Sequence, residues 1–579
     1  MAGNPPRRTP RRGFTAYDRG VIPAAAAQTA STAGPAAGAG PAETTVDPGQ
    51  DRGGGPAAGA AATARDRVPE IVRRRLSPPR ASTESYLWSW LATGLVALIA
   101  GVLRLDNLHH PRGVIFDETY YAFEANTLLA HSVEWSRDSD TAAYVVHPPL
   151  GKWLIAIGIR IFEYNEFGWR FSAAVVGILS VIILTRTARL MFGSTVLGCA
   201  AGLLMAVDGM HLVLSRHALL DIFLMFFIVA AFGAAVMDRI SRRRRWLRAL
   251  ENGLDPTGKG WRVGLPFAVP WWRLLTFVLL GAALGVKWSA AFFVPAFIAL
   301  IYFWEARTRR SAGVARPWLG AAAYEVGWFA LGGVLLVGAY LACWTGWFMT
   351  DYGYFRNWLA DNGRQQPPVI GALRNLWEYH RAAFDFHETL VSSHPYQSWP
   401  WQWLLLGRPV AFHYLEDSAC GAERCSQTIL LLGTPVLWWS FLPALGALAW
   451  LGIARRDWRA GAIWMMVAAA LLPWFWYAIV NGRTMFYFYA LPAEPFLVLA
   501  VVFVLGAIMS PAPSRAPAAG GLTVPSGPSD ARRLTGGVIA GVFLLLVVLC
   551  FAYFYPIYVG QSISYDDWMK RMWLDSRWI

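Results

Sequence analysis

The sequence predicts an all-α integral membrane protein of about eleven transmembrane helices, with two large loops on the extracytoplasmic side. Three observations carry this reading. Hydrophobic residues make up 55% of the 579-residue chain and charged residues only 15%, too few charges to cover a soluble surface. The apolar residues gather into runs of bilayer-spanning length. The basic residues collect on one side of those runs, and the acidic residues and histidines on the other.

Residues 1–85 are rich in Ala, Gly, Pro, Thr and Arg and almost free of large apolar side chains. Such a segment buries too little surface to offset its chain entropy, so it reads as a disordered cytoplasmic tail. No apolar core follows its basic start, so it does not read as a secretory signal. Residues 86–579 form the membrane domain. Its spans are expected at 86–103, 169–188, 195–213, 218–237, 274–286, 289–304, 322–344, 434–453, 461–480, 485–508 and 537–555.

One stretch needs arbitration. From Leu274 to Trp304 the chain is apolar apart from Lys287. A single helix of that length would run about 46 Å, against a hydrocarbon core of about 30 Å. Basic clusters flank it at 242–248 and 307–310. Both belong in the cytosol, which requires two crossings and a turn near Lys287, Trp288 and Ser289.

With the N-terminus inside, the charges sort by side. The inner loop 238–273 holds nine basic against three acidic residues, while outer loops 104–168 and 345–433 hold five against nine and six against eight. The net charge of +14 is therefore an orientation signal, and nothing in it asks for nucleic acid. All ten histidines fall between His109 and His413, toward the outer side. The expected location is the plasma membrane, multi-pass, with chemistry on the extracytoplasmic face.

Asp117 and Glu118 lie just beyond the first span among Phe116, Tyr120, Tyr121 and Phe123. A carboxylate there suits proton abstraction from an acceptor hydroxyl. The pair equally suits a helix N-terminus, where it would satisfy free backbone N–H groups. His147 and Lys152 bracket a Pro-Pro turn and can grip an anionic head group, or form a Pro-rich corner with a snorkelling Lys. Arg216 sits in a five-residue loop between Asp208 and Asp221. It can pair with either acid, or face a phosphate. Arg483, in a tight outer turn before an aromatic run holding Glu494, follows the same logic.

His380, His387 and His394 recur every seven residues, which puts neighbours about 10.5 Å apart on a helix, too far to share one metal ion. No metal site is assigned. Trp399, Trp401 and Trp403 read as a groove for sugar or polyprenyl, or as an interfacial belt. Cys420 and Cys425 face an oxidising side and can close a small disulfide loop. The remaining cysteines lie in predicted spans.

Seven strings together resemble the protein O-mannosyltransferase family in its actinobacterial, polyprenyl-phosphate-mannose-dependent form. They are FDETYYAFEA (116–125), HPPLGKWLI (147–155), GWRFSAAVVG (168–177), DGMHLVLSRHALLDIFLMFF (208–227), GVKWSA (285–290), SHPYQSWPWQW (393–403) and GRTMFYFYALPAEPF (482–496). The resemblance covers about residues 86–579. It implies a glycosyltransferase of the C superfamily that moves mannose from a lipid phosphate to Ser or Thr hydroxyls of secreted proteins, with inversion. Asp117 then carries over as general base, with Glu118 supporting the acceptor or the site geometry. Arg216 matches the family's loop arginine. The second outer loop leaves no room for the added lumenal β-domain of the eukaryotic branch.

The leaving lipid phosphate needs cations, for which Arg216, Arg483, Lys152 and His147 form the pool, supported by Asp208, Asp221, His394 and Trp401. The expected partners are the polyprenyl-phosphate-mannose donor, Ser/Thr-bearing acceptor proteins, the bilayer and the secretion machinery. No cofactor is required by the sequence, and a divalent metal is left open. Two alternatives remain. One is a sister enzyme delivering lipid-linked sugar to a glycan or lipid; the other is a transporter, against which stand the dissimilar halves of the chain.

Overall fold

The structure, a computed structural model, describes residues 68–77, 85–258, 260–416, 419–510, 514–517, 523–526 and 530–579. Most of the segment read as a disordered tail lies outside the described residues. Its described part differs from that reading: Glu70–Leu76 is a helix. Leu76 and Val68 are buried in a small apolar cluster with Trp246 and Leu250, and Arg73 donates to Glu251 at 2.7 Å.

Among the described residues nine helices are long and apolar enough to cross a bilayer: Tyr86–Leu105, Glu166–Phe192, Leu220–Glu251, Trp288–Ala312, Pro317–Ala342, Pro435–Arg455, Trp458–Ile479, Tyr487–Met509 and Asp530–Val559. The third and fifth expected spans fall on shorter apolar helices, Thr195–Ala206 and Trp271–Leu284, so length alone does not give a count of eleven. Leu220–Glu251 and Tyr487–Met509 are the most enclosed of the nine, and Pro317–Ala342 the least. The first two therefore run through the middle of the bundle.

Local chemistry sets several boundaries. The Asn165 side chain caps Glu166–Phe192 by accepting from Gly168 N at 2.9 Å, and Ser194 caps the next helix. Between Leu284 and Trp288 the long apolar stretch breaks, as its length demanded. Gly285 ends the first helix, and a Cβ there would sit 2.4 Å from Cys343 Sγ, so only glycine allows this approach. The Gly285 carbonyl accepts from Leu150 N at 3.0 Å, tying the turn to the first outer loop.

The outer loops are folded. The first holds helices Glu118–His131 and Leu150–Phe162, and the second holds Ile370–Thr389. The helical membrane fold is as expected, and one small sheet is added to it on the outer side. Val410–Leu415 pairs antiparallel with Cys425–Leu431, which pairs antiparallel with Ser562–Ser564. Cys420 and Cys425 are disulfide-bonded at the mouth of this sheet. His110 bonds the Gly560 carbonyl at 2.8 Å and Gln427 at 2.9 Å, so the first loop, the second loop and the C-terminal segment meet.

Candidate active site

Asp117 occupies the N-cap position of Glu118–His131, yet its side chain makes no capping bond. Among the described residues nothing donates a hydrogen bond to its carboxylate, which removes the helix-start explanation for this acid. Phe116, immediately before it, is held at φ 48°, a strained conformation for a bulky residue. Its ring stacks on Phe412 at 4.4 Å. Burial pushes the Asp117 carboxyl up to about 6; the Lys287 charge opposes this, and the Asp221 and Glu124 charges add to it.

Glu118 does something different. It is fully buried and accepts from Arg170 Nε and Nη2, each at 2.8 Å, from Ala218 N at 3.0 Å and from Ile115 N at 3.1 Å. Arg170 also donates to the carbonyls of Pro111 and Gly113 at 2.8 and 3.0 Å. This fork clamps the first outer loop onto the bundle and holds Glu118 well occupied. Its carboxyl is kept below the usual range: burial raises it, but the Arg170 charge and hydrogen bonds more than offset that. Its bonds tie Glu118 to the geometry of the loop, one of the two supporting roles expected of it.

The Lys287 and Asp221 charges that act on Asp117 line a cavity of about 360 Å³, of which Asp117 itself is not a lining residue. Asp221, Glu388, Lys287, His147, His387, Ser289 and Arg483 are among its polar members, and Phe292, Trp474 and Tyr477 among its apolar ones. Lys287 Nζ lies 2.7 Å from Asp221 Oδ2, and 5.7 Å from the centre of the Phe488 ring. Arg483 donates through Nη1 to the His387 carbonyl and approaches His387 Nδ1 at 3.4 Å, while its buried Nε has no partner among the described residues. His147 and His387 stack at 5.3 Å. Burial and the nearby cations depress both, His387 to about 4 and His147 well below the ordinary histidine value. Both rings are neutral at pH 7, so His147 enters the cavity as a hydrogen-bonding ring, with no charge for a phosphate.

Two of the expected phosphate cations are used elsewhere. Arg216 donates to the carbonyls of Leu103, Arg104, Asp106 and Asn107 at 2.9, 3.3, 2.7 and 3.2 Å. It caps the carbonyl end of the first span and pairs with neither Asp208 nor Asp221. Lys152 is fully buried between Glu134 and Glu124, the latter at 3.3 Å. Asp208 caps Gly209–Leu214, accepting from His211 N, and also accepts from Thr434 N at 3.0 Å and Trp438 Nε1 at 2.8 Å. His394 takes the Tyr396 N–H at 3.1 Å, and Trp401 stacks on Trp399 at 5.5 Å; neither lines the cavity. His380 donates through Nδ1 to the Leu376 carbonyl at 2.6 Å. Among the described residues no group of three or more His, Cys, Asp or Glu is placed to hold a metal ion.

Lys287 is the cation that the sequence reading passed over, having treated it as a turn marker. Its signal was visible: a lone Lys in an apolar run of thirty-one residues must find an anion or a cavity.

Two stretches match described protein families. Residues 372–578 match the C-terminal four TMM region of protein-O-mannosyltransferase, and residues 146–250 match dolichyl-phosphate-mannose-protein mannosyltransferase. The chain is 39% identical over 505 residues to the polyprenol-phosphate-mannose–protein mannosyltransferase of Mycobacterium tuberculosis, covering 85% of this chain and 92% of that one. It is 30% identical over 518 residues to the protein of the same name from Corynebacterium glutamicum, covering 86% and 95%. In fold it resembles the Saccharomyces cerevisiae protein O-mannosyltransferase Pmt1–Pmt2 complex bound to the sugar donor, with a TM-score of 0.65 at 16% identity over 86% of this chain and 94% of that chain.

Proposed function

The chain belongs to the protein O-mannosyltransferase family, and from that premise we propose that it transfers mannose from polyprenyl-phosphate-mannose to Ser or Thr hydroxyls of proteins, with Asp117 as general base. The hydroxyl oxygen attacks the anomeric carbon as its proton passes to the Asp117 carboxylate. The bond from that carbon to the phosphate oxygen breaks, and the lipid phosphate leaves with the electron pair. Attack from the face opposite the phosphate inverts the anomeric carbon. One carboxylate is then sufficient, because the leaving group needs no proton at neutral pH.

The observation that carries this reading is the unbonded Asp117 carboxylate beside a cavity whose wall holds Lys287 and Arg483. A base should titrate near working pH, and burial moves Asp117 in that direction. Lys287 and Arg483 are suited to the charge that develops on the phosphate. Asp221 holds Lys287 in place before the donor arrives. As written, the transfer draws on no cofactor, since the donor arrives activated. The charge distribution supports a plasma-membrane location with the site facing outward, where acceptors emerge from the secretion machinery.

The test is transfer of radiolabelled mannose from polyprenyl-phosphate-mannose to a Ser/Thr peptide by the purified full chain in nanodiscs. The expected result is a labelled peptide whose anomeric configuration is opposite to the donor's. Label reaching only glycan or lipid would defeat the reading.

A further inference from the structure

A second cavity, of about 690 Å³, lies among Trp288–Ala312, Pro435–Arg455 and Trp458–Ile479. It is separate from the catalytic one. Phe293 lines the first and Arg307 the second, fourteen residues along one helix, or about 21 Å. Trp474 and Trp464 repeat that division on a second helix. The two cavities therefore sit toward opposite ends of the bundle, and the positive-inside pattern puts the second in the cytosolic leaflet.

Its walls are apolar, with Leu300, Trp304, Trp318, Trp464 and Met465. Rim residues Phe303, Trp318 and Ile453 are exposed, so the cavity opens sideways to lipid. Its polar end is cationic. Arg307 and Arg456 line it, and among the described residues neither guanidinium has an ion-pair or hydrogen-bond partner. Arg239 lies 3.6 Å over the Trp458 ring and 5.6 Å from the Trp304 ring, both cavity walls. It is 8% exposed, and its Nε has no partner among the described residues. Among the described residues the one acid lining this cavity, Asp457, is already held by Arg459 through Nε at 3.0 Å. Snorkelling alone explains exposed arginines at a bilayer surface. It gives no reason for two cations without an acid, Arg307 and Arg456, to line one apolar groove whose Trp458 wall also carries the stacked Arg239.

We propose that this cavity binds a diacyl phospholipid with an anionic head group, its phosphodiester at Arg307 and Arg456 and an acyl chain along the tryptophan-lined groove. Basic pockets between spans on the cytosolic side bind such head groups. The groove is nearly twice the volume of the catalytic cavity and opens to the lipid phase.

Native mass spectrometry of the full chain in detergent, with added phosphatidylglycerol, phosphatidylcholine or polyprenyl phosphate, tests the site. Wild type should retain phosphatidylglycerol about tenfold more tightly than phosphatidylcholine, and the double variant Arg307→Gln, Arg456→Gln should lose that preference. Gly461→Leu supplies an independent arm. A Cβ at Gly461 meets nothing within 4 Å, so the added side chain enters the groove and should displace the lipid without lowering the melting temperature. Equal retention of the two phospholipids, undiminished phosphatidylglycerol binding in either variant, or displacement of phosphatidylglycerol by equimolar polyprenyl phosphate would overturn the proposal.

Discussion

Lys287 Nζ lies 2.7 Å from Asp221 Oδ2, so a cation inside an apolar stretch is held by an acid sixty-six residues away. The same ammonium acts electrostatically on Asp117. The proposed base, the cation proposed for the phosphate and the acid that pairs with it are thus electrostatically coupled.

Removing that cation should damage transfer and, because it leaves the buried Asp221 without its partner, should also lower the melting temperature. Lys287→Met is expected to lower kcat by roughly 10²-fold or more, the scale of losing one preorganised electrostatic contact. Lys287→Arg should recover part of the loss. Donor turnover by both variants, measured beside their melting temperatures, checks this. Equal activity of Lys287→Met and wild type would remove Lys287 from the phosphate site.

The Glu118–Arg170 clamp predicts a different phenotype. Breaking one side of a buried ion pair costs about 3–5 kcal/mol, so Glu118→Gln and Arg170→Met should lower the melting temperature sharply. The sign with pH follows from the depressed Glu118 carboxyl. Its contribution is present above the ordinary Glu range and is lost only as pH falls through its lower folded value. Thermal melts between neutral and acid pH should show the wild-type advantage over Glu118→Gln persisting at neutrality and shrinking in acid.

Arg216 supplies the sharpest contrast with the sequence expectation. It satisfies four carbonyls at the end of the first span, and unsatisfied buried groups cost about 1–3 kcal/mol each. Arg216→Met should therefore reduce stability and yield. The folded fraction should keep a normal KM for donor, as steady-state kinetics on purified protein would show.

The bundle was legible because membrane spans announce themselves within about twenty consecutive residues, and a break close to Lys287 followed from length and flanking charge. Asp117 was legible as a candidate because an acid in an aromatic run is a poor solvated loop. The partners were not. Arg216 finds its carbonyls 109 to 113 positions away, and Glu118 finds Arg170 fifty-two positions away. Local spacing cannot tell an arginine free for phosphate from one spent on backbone. The small sheet escaped for the same reason, since its third strand, Ser562–Ser564, comes from beyond the last span.

The most direct test of the central claim is Asp117→Asn in a single-turnover transfer assay with purified full chain, read beside the wild-type pH profile. Wild-type rate should fall as pH drops through about 6, where the carboxylate takes up its proton. The variant should lose roughly 10²-fold or more yet still bind donor. Because the raised carboxyl makes ionisation costly in the folded state, its melting temperature should equal or exceed that of wild type. Near-normal turnover by Asp117→Asn would contradict the account and take the base away from this residue.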